Sequence, residues 1–265
     1  MDRSAAAIAV LDSGFGGLTV AGAIIEQLPW ESVLYFADSA RGPYGSRSIE
    51  TVRAYALECL DKVIAHQVKA IVIACNTASA AMLRDARERY DVPIIEVISP
   101  AVRQAAVATR NRRVGVICTE ATKRSQAYGD AFAAAPDIAV SVEACPRFVE
   151  FVEQGDVDST ELRDVARAYL QPLKEAGVDT LILGCTHYPL LSAVIAEVMG
   201  PGVTLISSAA ETARETAMRL QQLEIERQPR QMPSRHTFLT TGSRRRFQRI
   251  GQRFLEAKMT QVYSA

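Results

Sequence analysis

Residues 70–80 read AIVIACNTASA, and this stretch decides the fold of the chain. Apolar residues, many of them β-branched, run without a polar interruption and end at Cys75, and Asn76 and Thr77 follow directly. A short run of this kind is typical of a strand that is buried on both faces, as in a parallel sheet covered by helices. The stretch therefore predicts an α/β fold in which Cys75 lies at the carboxyl end of a strand.

A second stretch, TLILGCTHYPL at 180–190, repeats the pattern. Here the apolar run ends at Cys185, and Thr186 and His187 follow. In open parallel sheets, ligands bind beyond the carboxyl ends of the strands, so a thiol at such an end is well placed for chemistry. The two stretches together predict two strand-end thiols.

Short apolar runs alternate with longer stretches of helical period along the whole chain, which predicts repeated strand–helix units. The strands are predicted at 7–12, 33–38, 70–75, 93–97, 113–118, 138–144, 180–185, 203–207 and 237–241. The helices are predicted at 17–28, 48–67, 77–89, 99–109, 121–134, 159–176, 189–198, 209–223 and 243–257.

The order of these elements indicates an internal duplication. The strand that ends at Asp12 precedes the strand that ends at Cys75, and the strand that ends at Cys118 precedes, after a similar interval, the strand that ends at Cys185. One wide sheet would accommodate the strands, but two similar α/β halves that face one another explain the spacing better. Each half then contributes one thiol.

Composition limits the functional classes. The 265 residues carry 30 basic and 30 acidic side chains, so no net field attracts nucleic acid or an anionic membrane. No segment approaches the roughly 20 apolar residues that cross a bilayer, and the N-terminus lacks the features of a signal peptide. The five cysteines are widely spaced without CxxC pairs, which argues against disulfides or a metal site and predicts a cytoplasmic protein with reduced thiols.

The two strand-end cysteines are candidates for acid–base chemistry. A thiol that precedes a helix lies near backbone N–H groups and the positive end of the helix dipole, which favour the thiolate. The alternative is that each buried cysteine is a small apolar residue, and this is our interpretation of Cys59 and Cys145. Two matched thiols on facing halves are able to address opposite faces of one carbon atom, as inversion at an α-carbon requires.

The residues around the thiols suit an amino-acid substrate. Backbone N–H groups and side chains of Asn76, Thr77 and Thr186 are able to hold an α-carboxylate. Asp12 and His187 are able to assist the neighbouring thiol or to bind the substrate ammonium group. The alternative for His187 is a purely structural role, which its position beside a cysteine and a threonine makes less attractive.

The sequence resembles the glutamate racemases of the cofactor-independent aspartate/glutamate racemase superfamily. The matching stretches are LDSGFGGLTV (11–20), FADSARGPYGSRS (36–48), ACNTASA (74–80), CPRFVEFVEQG (145–155) and LGCTHYPLL (183–191). The resemblance extends from about residue 7 to residue 223 and continues weakly towards the C-terminus. It implies two flavodoxin-like parallel-sheet domains related by a pseudo-twofold axis, with the active site between them. The implied domains are 1–98 plus 208–265, and 99–207.

The resemblance also implies residue roles. Cys75 would take the α-proton from D-glutamate, and Cys185 would take it from L-glutamate. Asp12 and His187 would assist Cys75 and Cys185 respectively, and Glu153 matches an acidic residue at the edge of the site. The implied substrate contacts are Asp12, Ser13, Tyr44, Gly45, Asn76, Thr77, Thr119, Thr122, Thr186 and His187.

Members of this family work without pyridoxal phosphate or metal and supply D-glutamate for peptidoglycan synthesis. The resemblance therefore implies the same activity without a cofactor, and it also implies a homodimer in the cytoplasm. Three departures from the family pattern stand out. Cys118 replaces a common glycine and adds bulk near the site, and Ser207 replaces a common aspartate. The chain also lacks the long N-terminal extension that is linked to activation by a cell-wall precursor in some relatives.

Three alternative functions are compatible with parts of the sequence. Gly14, Gly16 and Gly17 after a strand superficially resemble a dinucleotide fingerprint, but Asp12 puts a carboxylate where the pyrophosphate would approach. An aspartate racemase would share the thiol pair and differ in the pocket for the side-chain carboxylate. Some family members are associated with inhibition of DNA gyrase, and 243–249 is a basic run, although a solvated helix face explains that run more simply.

Overall fold

The strands of the chain form two sheets in which every neighbouring pair is parallel. The computed structural model describes residues 3–228, 234–255, 259 and 262–265. The strands are β1 (Ile8–Asp12), β2 (Val33–Ala37), β3 (Ala70–Ile73), β4 (Ile94–Glu96), β5 (Arg113–Cys118), β6 (Ala139–Ala144), β7 (Thr180–Gly184), β8 (Thr204–Ser207), β9 (His236–Thr240) and β10 (Val262–Ser264).

Helices connect successive strands and cover both faces of each sheet. The α-helices are α1 (Leu18–Gln27), α2 (Ile49–Ile64), α3 (Asn76–Arg89), α4 (Ile98–Ala108), α5 (Glu120–Ser125), α6 (Ala127–Phe132), α7 (Arg147–Gln154), α8 (Thr160–Glu175), α9 (Ser192–Met199), α10 (Ser208–Gln222) and α11 (Arg244–Leu255). Within the described ranges, no helix is long and apolar enough to cross a membrane.

The two sheets repeat one topology. Within the described residues, the first sheet has the order β10-β9-β2-β1-β3-β4, and the second has the order β6-β5-β7-β8. The segment β2-β1-β3-β4 therefore corresponds strand by strand to the second sheet, in the order typical of doubly wound flavodoxin-like folds. The predicted α/β fold with two parallel sheets is confirmed, whereas the predicted domain boundaries stay a prediction.

Alternate residues of each strand face opposite cores, as the pleat of a strand requires. In β1, Ile8 and Val10 pack with α1, α10 and α11, whereas Ala9 and Leu11 pack with α2 and α3. In the second sheet, Leu181 packs with α7, α8 and α9 on one face of β7. This double burial explains why the strand sequences contain unbroken apolar runs.

The structure differs from the predicted elements at four places. The helix predicted at 121–134 is divided into α5 and α6 by Gln126, whose φ of 58° is left-handed. The helix predicted at 189–198 begins with a 3₁₀ turn, Tyr188–Leu191, before α9. Helix α7 and strand β10 are not among the predicted elements, and the end of the helix predicted at 243–257 lies outside the described residues.

Candidate active site

Both strand-end thiols line one cavity of about 130 Å³ at the carboxyl ends of the two sheets. Cys75 follows β3 in the first sheet, and Cys185 follows β7 in the second, so one wall comes from each half of the molecule. The predicted residues that line this cavity are Ser13, Tyr44, Gly45, Cys75, Asn76, Thr77, Thr119, Cys185, Thr186 and His187. The cavity is of the size that holds one small molecule, since a cavity of about 150 Å³ accommodates benzene.

Cys75 is the N-cap residue of α3. Its Sγ atom accepts a hydrogen bond from the backbone N–H of Ala78 at 3.4 Å and lies 3.7 Å from Ser13 Oγ. Burial and, to a smaller extent, the nearby Asp12 carboxylate raise the pKa of the Cys75 thiol to about 11, because hydrogen bonds with Ala78 and Ser13 offset only part of their effect. The expectation that the helix N-terminus lowers the pKa of Cys75 is therefore wrong in direction, because desolvation outweighs the helix.

Cys185 has a different environment. A 3₁₀ turn rather than an α-helix follows it, and its Sγ atom lies 3.8 Å from His187 Nδ1. Burial raises the pKa of the Cys185 thiol well above its ordinary value, and a hydrogen bond from the backbone N–H of His187 offsets only part of the shift. The dipole argument fails here as well, because no α-helix begins at Cys185.

Asp12 lies behind the cavity wall. Its Oδ1 atom accepts a hydrogen bond from the backbone N–H of Gly14 at 2.8 Å, and the side chain is buried. Burial raises the pKa of the Asp12 carboxyl, although the charge of a protonated His187 and the backbone hydrogen bonds lower it. The carboxylate reaches the site through the electrostatic field that it exerts on Cys75, rather than by lining the cavity.

Glu153 also stands outside this cavity, next to His187. Its Oε1 atom lies 3.6 Å from His187 Nε2, and its Oε2 atom lies 3.3 Å from Arg246 Nη2 on α11. Both Glu153 and His187 line a second cavity of about 130 Å³, which also contains Ser13 and Arg246. His187 and Ser13 thus lie between the two cavities.

Three hydroxyl groups join the halves at the edge of the thiol cavity. Thr77 Oγ1 lies 2.9 Å from Thr119 Oγ1 and 3.2 Å from Thr122 Oγ1, and the latter two atoms are 3.0 Å apart. Thr77 lies in the first turn of α3 in the first half, whereas Thr119 caps α5 in the second. Thr77 and Thr119 line the cavity, and Thr122 lies behind them and orients their hydroxyls.

Tyr44 and Gly45 reach the cavity on a loop that follows β2. The buried Asp38 carboxylate accepts hydrogen bonds from Tyr44 Oη and, at 2.7 Å, from Arg41 Nε, which fixes the loop. Burial and the bond to Asp38 raise the pKa of the Tyr44 phenol above its ordinary value. A Cβ atom at Gly45 would lie 2.8 Å from Thr119 Cγ2, so a glycine permits this approach between the halves.

Asn76 offers an unused acceptor at the thiol cavity. Its Nδ2 group donates to Tyr128 Oη at 3.0 Å, which orients the amide. Its Oδ1 atom is buried, and no hydrogen-bond partner is found for it among the described residues. A buried acceptor without a partner costs about 1–3 kcal/mol, so a substrate N–H group that pairs with Oδ1 would recover that cost.

The glycine-rich loop after β1 is packed against the second half. A Cβ atom at Gly16 would lie 2.2 Å from Thr186 Oγ1 and 2.5 Å from His187 Nδ1. Thr19 Oγ1 also donates to the Thr186 carbonyl at 3.1 Å. This close packing gives the glycine a role in bringing the halves together, and it leaves no approach for the pyrophosphate of a dinucleotide at Gly16.

Several lining residues are absent from the sequence-based predictions. They are Pro43, Ser46, Pro146, Val149 and Glu150. The last three lie in α7 or at its N-cap, in the stretch CPRFVEFVEQG that carries part of the family resemblance. The signal was the helical spacing of Phe148, Phe151 and Val152, which are buried on one face of α7.

The two departures near the site have limited local consequences. Cys118 is fully buried at the end of β5 and does not line the thiol cavity. Ser207 precedes α10, and no hydrogen bond from its side chain caps that helix among the described residues. Among those residues, no group of three or more His, Cys, Asp and Glu side chains is arranged to hold a metal ion.

The known proteins that this chain resembles in sequence are racemases. A family profile described as Asp/Glu/Hydantoin racemase matches residues 18–216. A protein named glutamate racemase from a Parafrankia species is 58% identical over 259 residues, which cover 98% of this chain and 94% of that protein.

Solved structures give the same result. A glutamate racemase isoform from Bacillus anthracis superimposes with a TM-score of 0.94 at 41% identity, over 98% of this chain and 97% of that one. A glutamate racemase from Francisella tularensis, solved in complex with D-glutamate, has a TM-score of 0.92 at 33% identity, over 99% of this chain and 98% of that one.

Proposed function

The chain belongs to the Asp/Glu/hydantoin racemase family, and from this premise we propose that it is a glutamate racemase, an isomerase that interconverts L- and D-glutamate without a cofactor. The observation that carries the proposal is the pair of thiols, Cys75 and Cys185, that line one cavity from opposite halves of the fold. The D-glutamate complex of the Francisella tularensis relative supports glutamate as the ligand.

The proposed reaction uses two bases. A thiolate removes the α-proton from one face of the substrate carbon, and the opposite thiol delivers a proton to the other face. By the family resemblance, Cys75 acts on D-glutamate and Cys185 acts on L-glutamate. The thiol pair suits this chemistry because inversion requires an acid and a base on opposite faces at the same moment.

The substrate would be held by groups at the helix and strand ends. The hydroxyls of Thr77, Thr119 and Thr186 and the backbone N–H groups at the start of α3 are suited to the α-carboxylate, because helix N-termini bind anions. The free acceptor Asn76 Oδ1 suits the α-ammonium group. Removing a proton of low acidity needs more than a base, so these fixed donors must also stabilise the charge that develops on the carboxylate.

Burial has two opposing effects in this scheme. It raises the pKa of both thiols, which makes the thiolate scarce at neutral pH, and it makes a desolvated thiolate a stronger base once it forms. Hydrogen bonds with Ala78 and Ser13 lower the pKa of Cys75, and a hydrogen bond from the backbone N–H of His187 lowers the pKa of Cys185, so both moderate the effect of burial. Water exclusion when the halves close over the substrate would strengthen every charge interaction in the cavity.

The biological role that we propose is the supply of D-glutamate for peptidoglycan synthesis by a homodimer in the cytoplasm. This part of the proposal rests on the resemblance to glutamate racemases and on the activity proposed above. An aspartate racemase remains the rival, because it would use the same pair of thiols.

The test is to incubate EDTA-treated, cofactor-free protein separately with L-glutamate and with L-aspartate and to follow the loss of optical rotation. We expect loss of rotation with glutamate only. The same assay on Cys75→Ala and on Cys185→Ala should give a fall of at least about 10³-fold, because general acid–base catalysis alone contributes up to about 10⁴-fold.

Cys59→Ala is the matched control, since Cys59 is buried in α2 and does not line the cavity. It should retain the wild-type rate. Racemisation of aspartate at a comparable rate, or activity that needs added pyridoxal phosphate, would overturn the proposed function.

A further inference from the structure

The second cavity lies next to the partners of both thiols, although the two-base reaction does not require a cavity there. It is lined by Ser13, Glu153, His187 and Arg246, together with the chain around Gly14 and Gly42. The substrate does not need this space, because both thiols line the other cavity. Yet Ser13 and His187 belong to both cavities, and each of them is the partner of one thiol.

A two-base racemase, if the proposed function holds, ends each turnover with its thiols reversed. In the conversion of D- to L-glutamate, Cys75 begins as the thiolate and ends as the thiol, whereas Cys185 begins as the thiol and ends as the thiolate. A second turnover in the same direction requires one proton to leave Cys75 and one proton to arrive at Cys185. The number of protons on the enzyme is unchanged, so this return needs only a path.

The residues of the second cavity form the elements of such a path. Ser13 Oγ lies 3.7 Å from Cys75 Sγ at one end, and His187 Nδ1 lies 3.8 Å from Cys185 Sγ at the other. His187 Nε2 is buried, no hydrogen-bond partner is found for it among the described residues, and Glu153 Oε1 is 3.6 Å away. The cavity is polar at both ends and roomy enough for water to bridge them.

We propose that the second cavity is the route by which a proton returns between the thiols after product release, with Ser13 and His187 at its ends and Glu153 as the carboxylate that passes the proton between water and His187. Arg246 is the positioning residue, since its Nη2 atom holds the other oxygen of Glu153 at 3.3 Å. In the direction from D to L, Cys75 gives its proton to Ser13 as Ser13 gives its own to water. Glu153 then accepts a proton from water and gives it to His187 Nε2, and His187 Nδ1 gives its proton to the Cys185 thiolate. Proton exchange with water, which removes the Nε2 proton and returns one to Nδ1, restores the starting tautomer of His187 before the next turnover.

This assignment has a kinetic signature that a role in the chemical step does not share. The return takes place on the free enzyme, so it limits the rate only when substrate is abundant. At low substrate concentration the free enzyme has time to equilibrate between its two protonation forms. Slowing the return therefore lowers kcat and KM by the same factor and leaves kcat/KM unchanged, whereas a loss of transition-state stabilisation lowers kcat/KM.

Two variants test the route by different means. Glu153→Gln removes the titratable group and keeps its shape. Gly14→Val adds bulk to the cavity wall without removing a charge, because a Cβ atom at Gly14 meets nothing within 4 Å. The controls are Glu161→Gln, an exposed glutamate at the start of α8, and Gly202→Val, where a Cβ atom also meets nothing within 4 Å.

The experiment measures kcat and KM for both enantiomers of glutamate, after thermal unfolding has verified that each variant folds. We expect Glu153→Gln and Gly14→Val to lower kcat and KM together, by roughly tenfold, with kcat/KM within about twofold of wild type. Both controls should match wild type in all three quantities.

Two results would overturn the inference. A fall in kcat/KM that follows the fall in kcat would put Glu153 in the chemical step, and unchanged kcat in both variants would mean that protons return by another route. Either result leaves the proposed function intact as long as the wild-type protein racemises glutamate. Failure of the wild-type protein to racemise glutamate would instead overturn the proposed function.

Discussion

The surroundings of Cys75 and Cys185 differ although the two residues occupy the same place in a repeated topology. Each thiol follows the third strand of the order 2-1-3-4 in its own sheet. Beyond Cys75 the chain enters α3, whose backbone N–H at Ala78 contacts the sulfur. Beyond Cys185 it forms a 3₁₀ turn, and the nearest side-chain partner is the imidazole of His187.

The fold determines where the two thiols lie, whereas the local sequence determines which groups contact each of them. The repeated topology brings two equivalent strand ends together, and this places the two sulfurs at one cavity. The residues after each strand then decide which groups moderate a thiol whose pKa burial has raised. One thiol has a helix N-terminus and a serine, and the other has a histidine that in turn contacts a carboxylate.

The largest effect on the reaction rate is expected from replacing His187, the side-chain partner of Cys185, compared with replacing Ser13, the side-chain partner of Cys75. His187→Gln should lower kcat/KM by roughly 100-fold, in the range of a lost acid–base group, whereas Ser13→Ala should lower it by less than about tenfold, because Ala78 still contacts Cys75. The measurement is the steady-state rate for both enantiomers. L- and D-glutamate have equal free energies in water, so kcat/KM must fall by the same factor in both directions.

His66→Gln is the control, because His66 follows α2 and does not line either cavity. It should keep the wild-type kcat/KM. If Ser13→Ala were as damaging as His187→Gln, the partners would be equivalent and the contrast between the two thiol sites would disappear.

The next effect concerns pH. The pKa of Cys75 is raised to about 11, so deprotonation needs a higher pH and the fraction with one thiolate grows as the pH rises. We expect kcat/KM to increase by about tenfold per pH unit well below that pKa, and the falling limb of the bell-shaped profile, where the second thiol also deprotonates, to lie at still higher pH, above the measured range. Initial rates at low substrate between pH 6 and pH 10 provide the measurement, and a profile that is flat from pH 6 to pH 8 would contradict the raised pKa.

The smallest effect concerns the helices that follow the first strand of each half. Helix α1 after β1 is continuous, whereas the corresponding segment after β5 is divided at Gln126, which has a left-handed conformation. Glycine adopts this conformation without the penalty of about 1 kcal/mol or more that a Cβ atom brings. Gln126→Gly should therefore raise the free energy of unfolding by about 0.5–1 kcal/mol in urea denaturation, at unchanged kcat. A lower free energy of unfolding would mean that the glutamine side chain stabilises the break.

The sequence predicts the strands and the duplicated α/β fold because double burial leaves an unbroken apolar run that is readable without coordinates. It also predicts most of the cavity, since the thiols and their neighbours follow two of those runs. Helix α7 was missed because Pro146 reads as a helix breaker, whereas it occupies the N-cap position of that helix. The break at Gln126 was missed because no glycine marks the left-handed residue.

The main error of the sequence analysis was the direction of the pKa shift of the thiols, and its cause is physical. The helix dipole is visible in a sequence as a strand followed by a helix, but the degree of burial is a property of the assembled halves. Cys75 is only 6% exposed, and the desolvation of its thiolate exceeds the stabilisation by Ala78 N–H and Ser13. The second cavity was also beyond prediction, because Glu153 and Arg246 are 93 residues apart in sequence.

The most direct test of the central claim is the fate of the α-hydrogen in heavy water when one thiol is missing. Cys185→Ala keeps Cys75. Over long incubation this variant should therefore exchange the α-hydrogen of D-glutamate for deuterium, without inversion, and should leave the α-hydrogen of L-glutamate in place. Cys75→Ala should do the reverse. Nuclear magnetic resonance of the α-hydrogen resolves both outcomes. If either variant labelled both enantiomers, or still converted one into the other at the wild-type rate, the claim that the two thiols serve opposite faces of one carbon would be contradicted.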